Sequence, residues 1–173
     1  MEPSPGLTTI RTYISDTSVP MVQLIIDKLN VGVILSDQSG NVIMSNKKAN
    51  EIAGTSEDTM DIKTWKDTYK PMKEDKVTLY DHSDLPMIRA LTGTTTVGQI
   101  VFIKSNNKQN KFLSVDSYPI FNHDSISGSL TLITDITEQR QLRDVIRDLA
   151  GSIETLKAMV INAMETLEPT ENS

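Results

Sequence analysis

Apolar residues return every seventh position through the C-terminal part of this chain. Leu142, Leu149, Leu156 and Ala163 form one set, and Ile146, Ile153, Val160 and Leu167 form a second, offset by four. The pattern puts β-branched residues at heptad position a (146, 153, 160) and leucine at d (142, 149, 156). That choice favours a parallel two-stranded coiled coil. From Gln139 to Leu167 the seam would run roughly 43 Å at about 1.5 Å per residue. Glu138 falls at g and Arg143 at the e position of the next heptad, which permits an interchain pair of small energetic value. Val145 and Met159 at g widen the apolar stripe. The competing arrangement is an amphipathic helix folded back on its own domain. Pro169 ends the helix, and 169–173 is a frayed tail.

The residues that lead into this helix change period within a few positions. Ser129 to Thr134 mixes β-branched, apolar and hydroxyl side chains, as a half-buried strand does. From Thr137 onward Glu, Gln, Arg and Leu dominate, which suits a helix. Asp135 with Glu138 has the form of a helix start. Asp135, Ile136 and Thr137 therefore make a joint with few soft dihedrals, able to pass strain from sheet to helix.

Upstream, residues 1–17 are polar and weakly patterned and are expected to be a flexible lead-in. Residues 18–30 predict a short helix: Ser18 as cap, Pro20 in the first turn, and Val22, Ile25, Ile26 and Leu29 on one face, with Asn30 and Gly32 ending it. It should pack on a sheet or on a partner copy. Val31–Asp37 and Val42–Ser45 predict a hairpin around Gln38-Ser39-Gly40-Asn41. Asn46 caps a helix through Ile52 that stops at Gly54. Residues 55–76 look irregular and charged, with Trp65 and Tyr69 as their large aromatics. Asp84 to Gly93 reads as a compact helix with a cap, an early proline and a terminal glycine. Three strands follow, over 95–104, 111–119 and 127–134, separated by Asn106-Asn107-Lys108 and Asn122-His123-Asp124. Five strands split by a helical insert predict an α+β domain over 31–136, with one antiparallel sheet carrying helices on a face. The coiled helix then occupies 137–168.

Composition removes several function classes. The net charge is −6 and no long basic run is present, which argues against nucleic acid as a partner. No apolar run approaches the ~20 residues of a membrane span, and the first residues lack a signal-peptide pattern, so a cytoplasmic protein is the expectation. The absence of cysteine excludes disulfides, thiolate catalysis and cysteine-linked chromophores. No phosphate-cradling glycine motif occurs. Glu57, Asp58 and Asp61 sit in a charged, solvated segment. Glu74, Asp75, Asp81 and Asp84 lack calcium-loop spacing, so no metal site is expected. No nucleophile, base and orienter come together, and the chain is not expected to be an enzyme.

From about Pro20 to Arg140 the chain resembles a PAS domain, the sensory module of bacterial signalling proteins. Gly32-Val33-Ile34-Leu35-Ser36-Asp37 and Gly40-Asn41 match the first hairpin, and Asn46 with Ala49-Asn50 the helix after it. Leu85-Pro86-Met87-Ile88-Arg89-Ala90-Leu91-Thr92-Gly93 is similar to a helix string of one PAS subgroup. Asp135-Ile136-Thr137-Glu138 is similar to the ending through which such domains pass to an output helix. The resemblance implies a cavity between sheet and helices, frequent parallel homodimers, and a place in two-component or related signal transduction. It also implies limits. The flavin photosensors and the coumaric-acid photosensors of the family need a cysteine, which this chain lacks. The haem-binding subgroup uses a histidine of the pocket helix, whereas His82 precedes that helix and His123 sits in a turn, so haem is not expected.

Ile34, Trp65, Met87, Leu91, Ile100, Phe102, Leu113 and Leu132 are the candidates to line the pocket, although the same residue types fill a dry core. With few aromatics, a small or aliphatic ligand suits the pocket better than a large flat cofactor. The expected function is a sensory module that homodimerises and relays a ligand- or partner-induced change through its coiled helix. The alternative is a ligandless dimerisation or adaptor domain for a histidine kinase or transcription regulator. The coiled helix has no histidine and cannot itself be a phosphoacceptor.

Overall fold

The longest strand pairing joins β4 (Lys111–Asn122) to β5 (Ser125–Asp135) across a tight loop in which His123 takes φ 54°. A computed structural model describes residues 18–54, 70–104 and 110–167. The lead-in, the tail, the Asn106-Asn107-Lys108 turn and the segment carrying Glu57, Asp58, Asp61, Trp65 and Tyr69 lie outside the described residues. The chain divides into two units, at Ile136 and Thr137.

In the first unit, β1 (Gly32–Asp37), β2 (Val42–Ser45) and β3 (Thr96–Ile103) complete a five-stranded antiparallel sheet in the order β2-β1-β5-β4-β3. Its register defines an inner face. Ile34 lies opposite Thr131, Ser117 opposite Thr131, Val115 opposite Ile133, and Val101 opposite Leu113. Because side chains alternate along a strand, every second residue of each strand shares that face. The helices that cover the sheet are α2 (Lys47–Ala53) and α3 (Pro86–Leu91); α1 (Ser18–Asp27) precedes β1.

Local chemistry explains where these elements start and stop. Asn46 caps α2 by accepting from the Ala49 N–H at 2.9 Å, and Gly54 closes it with φ 68°. The first helix ends at Asp27, earlier than Asn30. Lys28 and Leu29 then bond back to the carbonyls of Ile25 and Ile26. Gly32 is not a helix terminator but the first residue of β1. A Cβ there would lie 3.0 Å from the Ala49 Cα, so glycine lets strand and helix approach.

The Asp84–Gly93 helix is shorter than its sequence suggests. His82–Asp84 forms a separate 3₁₀ turn, and α3 begins at Pro86. Proline disfavours the helical region for the residue before it, and Leu85 is accordingly extended, at φ −63° and ψ 133°. Asp84 is thereby held one residue too early to cap the helix. At the other end the Gly93 and Thr94 N–H groups return to the Ala90 and Arg89 carbonyls, with Gly93 at φ 90°. This is a Schellman stop.

Residues 71–80, the first of which were expected to be irregular, lie against β3, one of the two edge strands of the sheet. Met72 exchanges both backbone hydrogen bonds with Phe102 of β3, at 2.8 and 2.9 Å. The Tyr80 N–H donates to the Pro71 carbonyl, and the Tyr80 hydroxyl to the Ile100 carbonyl at 3.1 Å. At the tip, the Asp75 carboxylate accepts from Val77 N–H, Thr78 N–H and the Thr78 hydroxyl. This cover meets β3 at its C-terminal end, around Ile100 and Phe102.

The β1–β2 turn is fastened by Asp37, whose carboxylate accepts from Ser39 N–H at 2.9 Å, Asn41 N–H at 2.8 Å and the Asn41 amide at 2.9 Å. Partial burial acts to raise its pKa, and the bonds from Asn41, Ser39 and Gly40 outweigh it, so the pKa lies below the ordinary 3.8. A lowered folded pKa gives stability that is present above the unfolded value and is lost as pH falls through the folded one. Asp37→Asn should therefore lose its deficit against the parent as pH is lowered below 3.8. Urea midpoints of both proteins across that window check this; a difference constant down to about pH 3 would count against it.

The second unit is one helix, α4 (Thr137–Leu167), of 31 residues. Asp144–Arg147 and Glu154–Lys157 are paired along its surface. Among the described residues, no helix is long and apolar enough to cross a membrane.

Candidate functional site

Between α3 and the inner face of the sheet lies a cavity of about 60 Å³. The sheet contributes Ile34, Val101, Leu113, Val115, Thr131 and Ile133; Leu85 and, from α3, Pro86, Met87 and Ile88 contribute the other wall. Ile34, Met87 and Leu113, expected from the sequence, are therefore at the cavity. Ile100, Phe102 and Leu132 are not. They belong to the opposite parity of their strands, where Phe102 meets the Phe112 ring at 5.0 Å and Leu132 pairs with Val33 and Asp116. A shift of one residue moves a strand side chain to the other face. Leu91 sits farther along α3, near Gly40. Trp65 lies outside the described residues.

The inner face has two chemical halves. Toward α3's first turn it is aliphatic. Beyond Ile34 it carries hydroxyls: Ser36 and Ser129 are 2.7 Å apart, and Ser117 and Thr131 are 2.8 Å apart, all four buried. Thr96, opposite Ser117 in register, is buried with no hydrogen-bond partner for its Oγ1. Sequence reasoning passed over Thr131, Val115 and Ile133. The spacing Leu113, Val115, Ser117 set against Thr131, Ile133 was the signal, since an antiparallel ladder brings alternate residues of both strands to one face.

At the joint, Asp135 is the last residue of β5 and its carboxylate lies 3.4 Å from the Lys111 Nζ. The Ile136 N–H donates to the Phe112 carbonyl at 2.8 Å. A single residue thus separates the last strand from Thr137, which opens α4. Along that helix the seam residues Leu142, Ile146, Leu149, Ile153, Leu156, Val160 and Ala163 are all exposed, Ile146 by 59% and Leu149 by 60%. Leu167 is the final helical residue. Val145, Met159, Ile161 and Met164 broaden the exposed apolar surface. On α1, Met21, Leu24 and Ile25 are exposed as well. No cluster of three or more metal-ligating side chains occurs among the described residues.

No family model matches the chain, and no curated relative does. Solved structures do. The chain is similar to the PAS domain of a protein from Colwellia psychrerythraea, at 16% identity over 69% of this chain and 98% of that one, with a TM-score of 0.50. It is similar to a sensory box histidine kinase/response regulator from Burkholderia thailandensis, at 12% identity over 78% and 98%, TM-score 0.50. It is also similar to the PAS domain of the fruit-fly ELK potassium channel, at 13% identity over 70% and 99%, TM-score 0.50. The antiparallel order β2-β1-β5-β4-β3, with short helices over one face and a long helix following the last strand, is the PAS fold.

Proposed function

We propose that the chain is a sensory or regulatory module of signal transduction that forms a parallel homodimer through α4 and relays a change at its cavity into that coil. The fold does not choose the output, since it serves a kinase and a channel alike. The observation that carries the reading is the exposed heptad seam. Burying a Leu, Ile or Val side chain stabilises by about 1.5–3 kcal/mol, and a second copy would cover six such residues between Leu142 and Val160 on each chain. Isoleucine and valine at a with leucine at d fit a parallel pair. The output partner in this reading is a histidine kinase or another signalling protein, in the cytoplasm.

Light scattering tests the dimer. Ile146→Asp with Ile153→Asp places unpaired carboxylates in the seam, and the protein should run as a 19.2 kDa monomer where the parent runs at twice that mass. Equal masses for both proteins would remove the coil. A relay needs two packings that a ligand binds unequally. Since the chain has no cysteine, Lys157→Cys gives a unique site for a nitroxide label. Interchain distances across the coil should shift when the cavity is filled. The small cavity favours a second reading, a ligandless dimerisation or adaptor domain, in which those distances stay fixed.

A further inference from the structure

We infer that the outward face of α1 packs against the same face of a second copy, as a contact between copies additional to the coil. This rests on the reading of α4 as the seam that first joins them. An amphipathic helix ordinarily turns its apolar side to the domain and its polar side to water. α1 is mounted the other way round. Gln23, Ile26 and Asp27 face the domain and are partly buried, whereas Met21, Leu24 and Ile25 are 66%, 60% and 56% exposed, with Val22 and Leu29 exposed beside them. Polar bonds fix this mounting. The Asp27 Oδ1 accepts from the Lys47 N–H of α2 at 3.0 Å and from the Gln23 amide at 3.2 Å. The Asn46 amide donates to the Ile26 carbonyl at 2.8 Å. Turning α1 to hide its apolar side would break these bonds.

The path of the chain selects the occupant. Gly32 opens β1 and lies opposite Ile133, near the end of β5. The segment after α1 and the segment before α4 therefore run on neighbouring strands at one end of the sheet. A parallel coil that joins two copies through α4 brings these sheet ends together, and α1 with them. From Met21 to Ile25 the face carries no charge, Lys28 lying beyond the last helical residue. Two copies of it can thus meet without repulsion, as a two-fold contact requires of a self-complementary patch. Area sets the rank of the contact. Five such side chains offer on the order of a few hundred Å² per copy, short of the roughly 800 Å² per partner of a stable complex. α1 alone does not hold a pair. It closes once α4 has raised the effective concentration of the second copy to about the millimolar range.

The test uses the full chain. Methyl resonances of Met21, Leu24 and Ile25 should be shielded from a soluble gadolinium relaxation agent in the parent and open to it in the Ile146→Asp, Ile153→Asp monomer. Since the chain has no cysteine, Ile25→Cys should be joined to its partner by a short bis-maleimide, and Gln23→Cys, on the domain-facing side, should not. Leu24→Lys with Ile25→Lys should weaken dimerisation at least about tenfold in sedimentation equilibrium. The same pair in the monomer background should leave the urea midpoint of the first unit unchanged, because these side chains are already exposed there. Light scattering of the parent reads the coil separately, and a monomeric parent would remove the coil and this contact with it. In a dimeric parent, α1 methyls as open as in the monomer, cross-linking at 23 as efficient as at 25, or a lysine variant within about twofold of the parent would each overturn the inference while leaving the coil in place. The comparison of parent with monomer needs no change in α1, so it decides the matter even where an α1 variant does not fold.

Discussion

Asn46→Ala should destabilise the first unit by on the order of 4 kcal/mol, a large share of the stability of a domain this size. The side chain is fully buried, and each of its polar atoms is used twice. Its Oδ1 accepts from Val33 N–H and Ala49 N–H, both at 2.9 Å. Its Nδ2 donates to the Ile26 carbonyl at 2.8 Å and the Val31 carbonyl at 2.9 Å. One side chain thereby joins the end of α1, the linker after it, the first core strand and the first turn of α2. Alanine removes a bond from each of four backbone groups, of which the Ile26 carbonyl keeps the one from Leu29 N–H, and an unsatisfied buried group costs about 1–3 kcal/mol. Some of that returns as α1 lifts and water reaches the Ile26 carbonyl, which keeps the expected total below the simple sum.

Asn46→Asp separates the two halves of this network. The carboxylate can still accept from Val33 and Ala49, but its second oxygen faces the Ile26 and Val31 carbonyls with no hydrogen to give. Protonation restores one donor. Burial and the facing carbonyls raise the folded pKa of the introduced Asp above its unfolded value. A raised folded pKa contributes stability that is complete below the unfolded pKa and is lost as pH rises through the folded one. Asn46→Asp should therefore close part of its gap to the parent on acidification, whereas the gap of Asn46→Ala should be independent of pH. Urea denaturation of the three proteins at neutral and mildly acidic pH checks both statements. An alanine variant within about 1 kcal/mol of the parent would show that the four bonds are individually replaceable by water.

The cap role of Asn46 was legible in the sequence and its three other bonds were not. A cap is local, set by a residue and its third successor, whereas Ile26 and Val31 are brought to the amide by the path of the chain. The same division runs through the cavity. Strand existence follows from β-branched and apolar runs, and the five-stranded antiparallel sheet came through in that way. Which parity faces inward does not follow when both are apolar, as in Ile100-Val101-Phe102-Ile103. In β5 the polarity rule even inverts: Ser129 and Thr131 face in and are buried, while Leu130 and Leu132 on the other parity are only half-buried. Hydroxyls paired with one another, Ser36 with Ser129 and Ser117 with Thr131, remove the usual penalty of burial. The edge cover over 71–80 was hidden for a different reason. It is held by backbone bonds to β3 and by one Asp75 turn, and neither leaves a periodic trace.

Gly128→Ala should cost on the order of 3 kcal/mol, and Gly151→Ala should cost nothing. Gly128 lies in β5 opposite Asp37, beside the bulge where the register with β4 shifts. A Cβ there would sit 2.1 Å from the Ser36 carbonyl oxygen. That atom is backbone, inside the central β1–β5 pairing, so no side-chain rotation can make room. The strands must separate, which pulls apart the adjacent Ser36–Ser129 hydroxyl pair at 2.7 Å and loosens the inner face next to Thr131. Gly151 is in α4, and a Cβ there meets nothing within 4 Å. Alanine at that position removes the conformational freedom of a helical glycine and should stabilise the helix by about 1 kcal/mol. Thermal and urea unfolding of the two variants, followed by circular dichroism, should therefore move in opposite directions from the parent. A Gly128→Ala protein that unfolds with the parent would mean that β1 can withdraw from β5 at little cost, and the close strand approach at Ser36 would no longer explain why glycine is needed there.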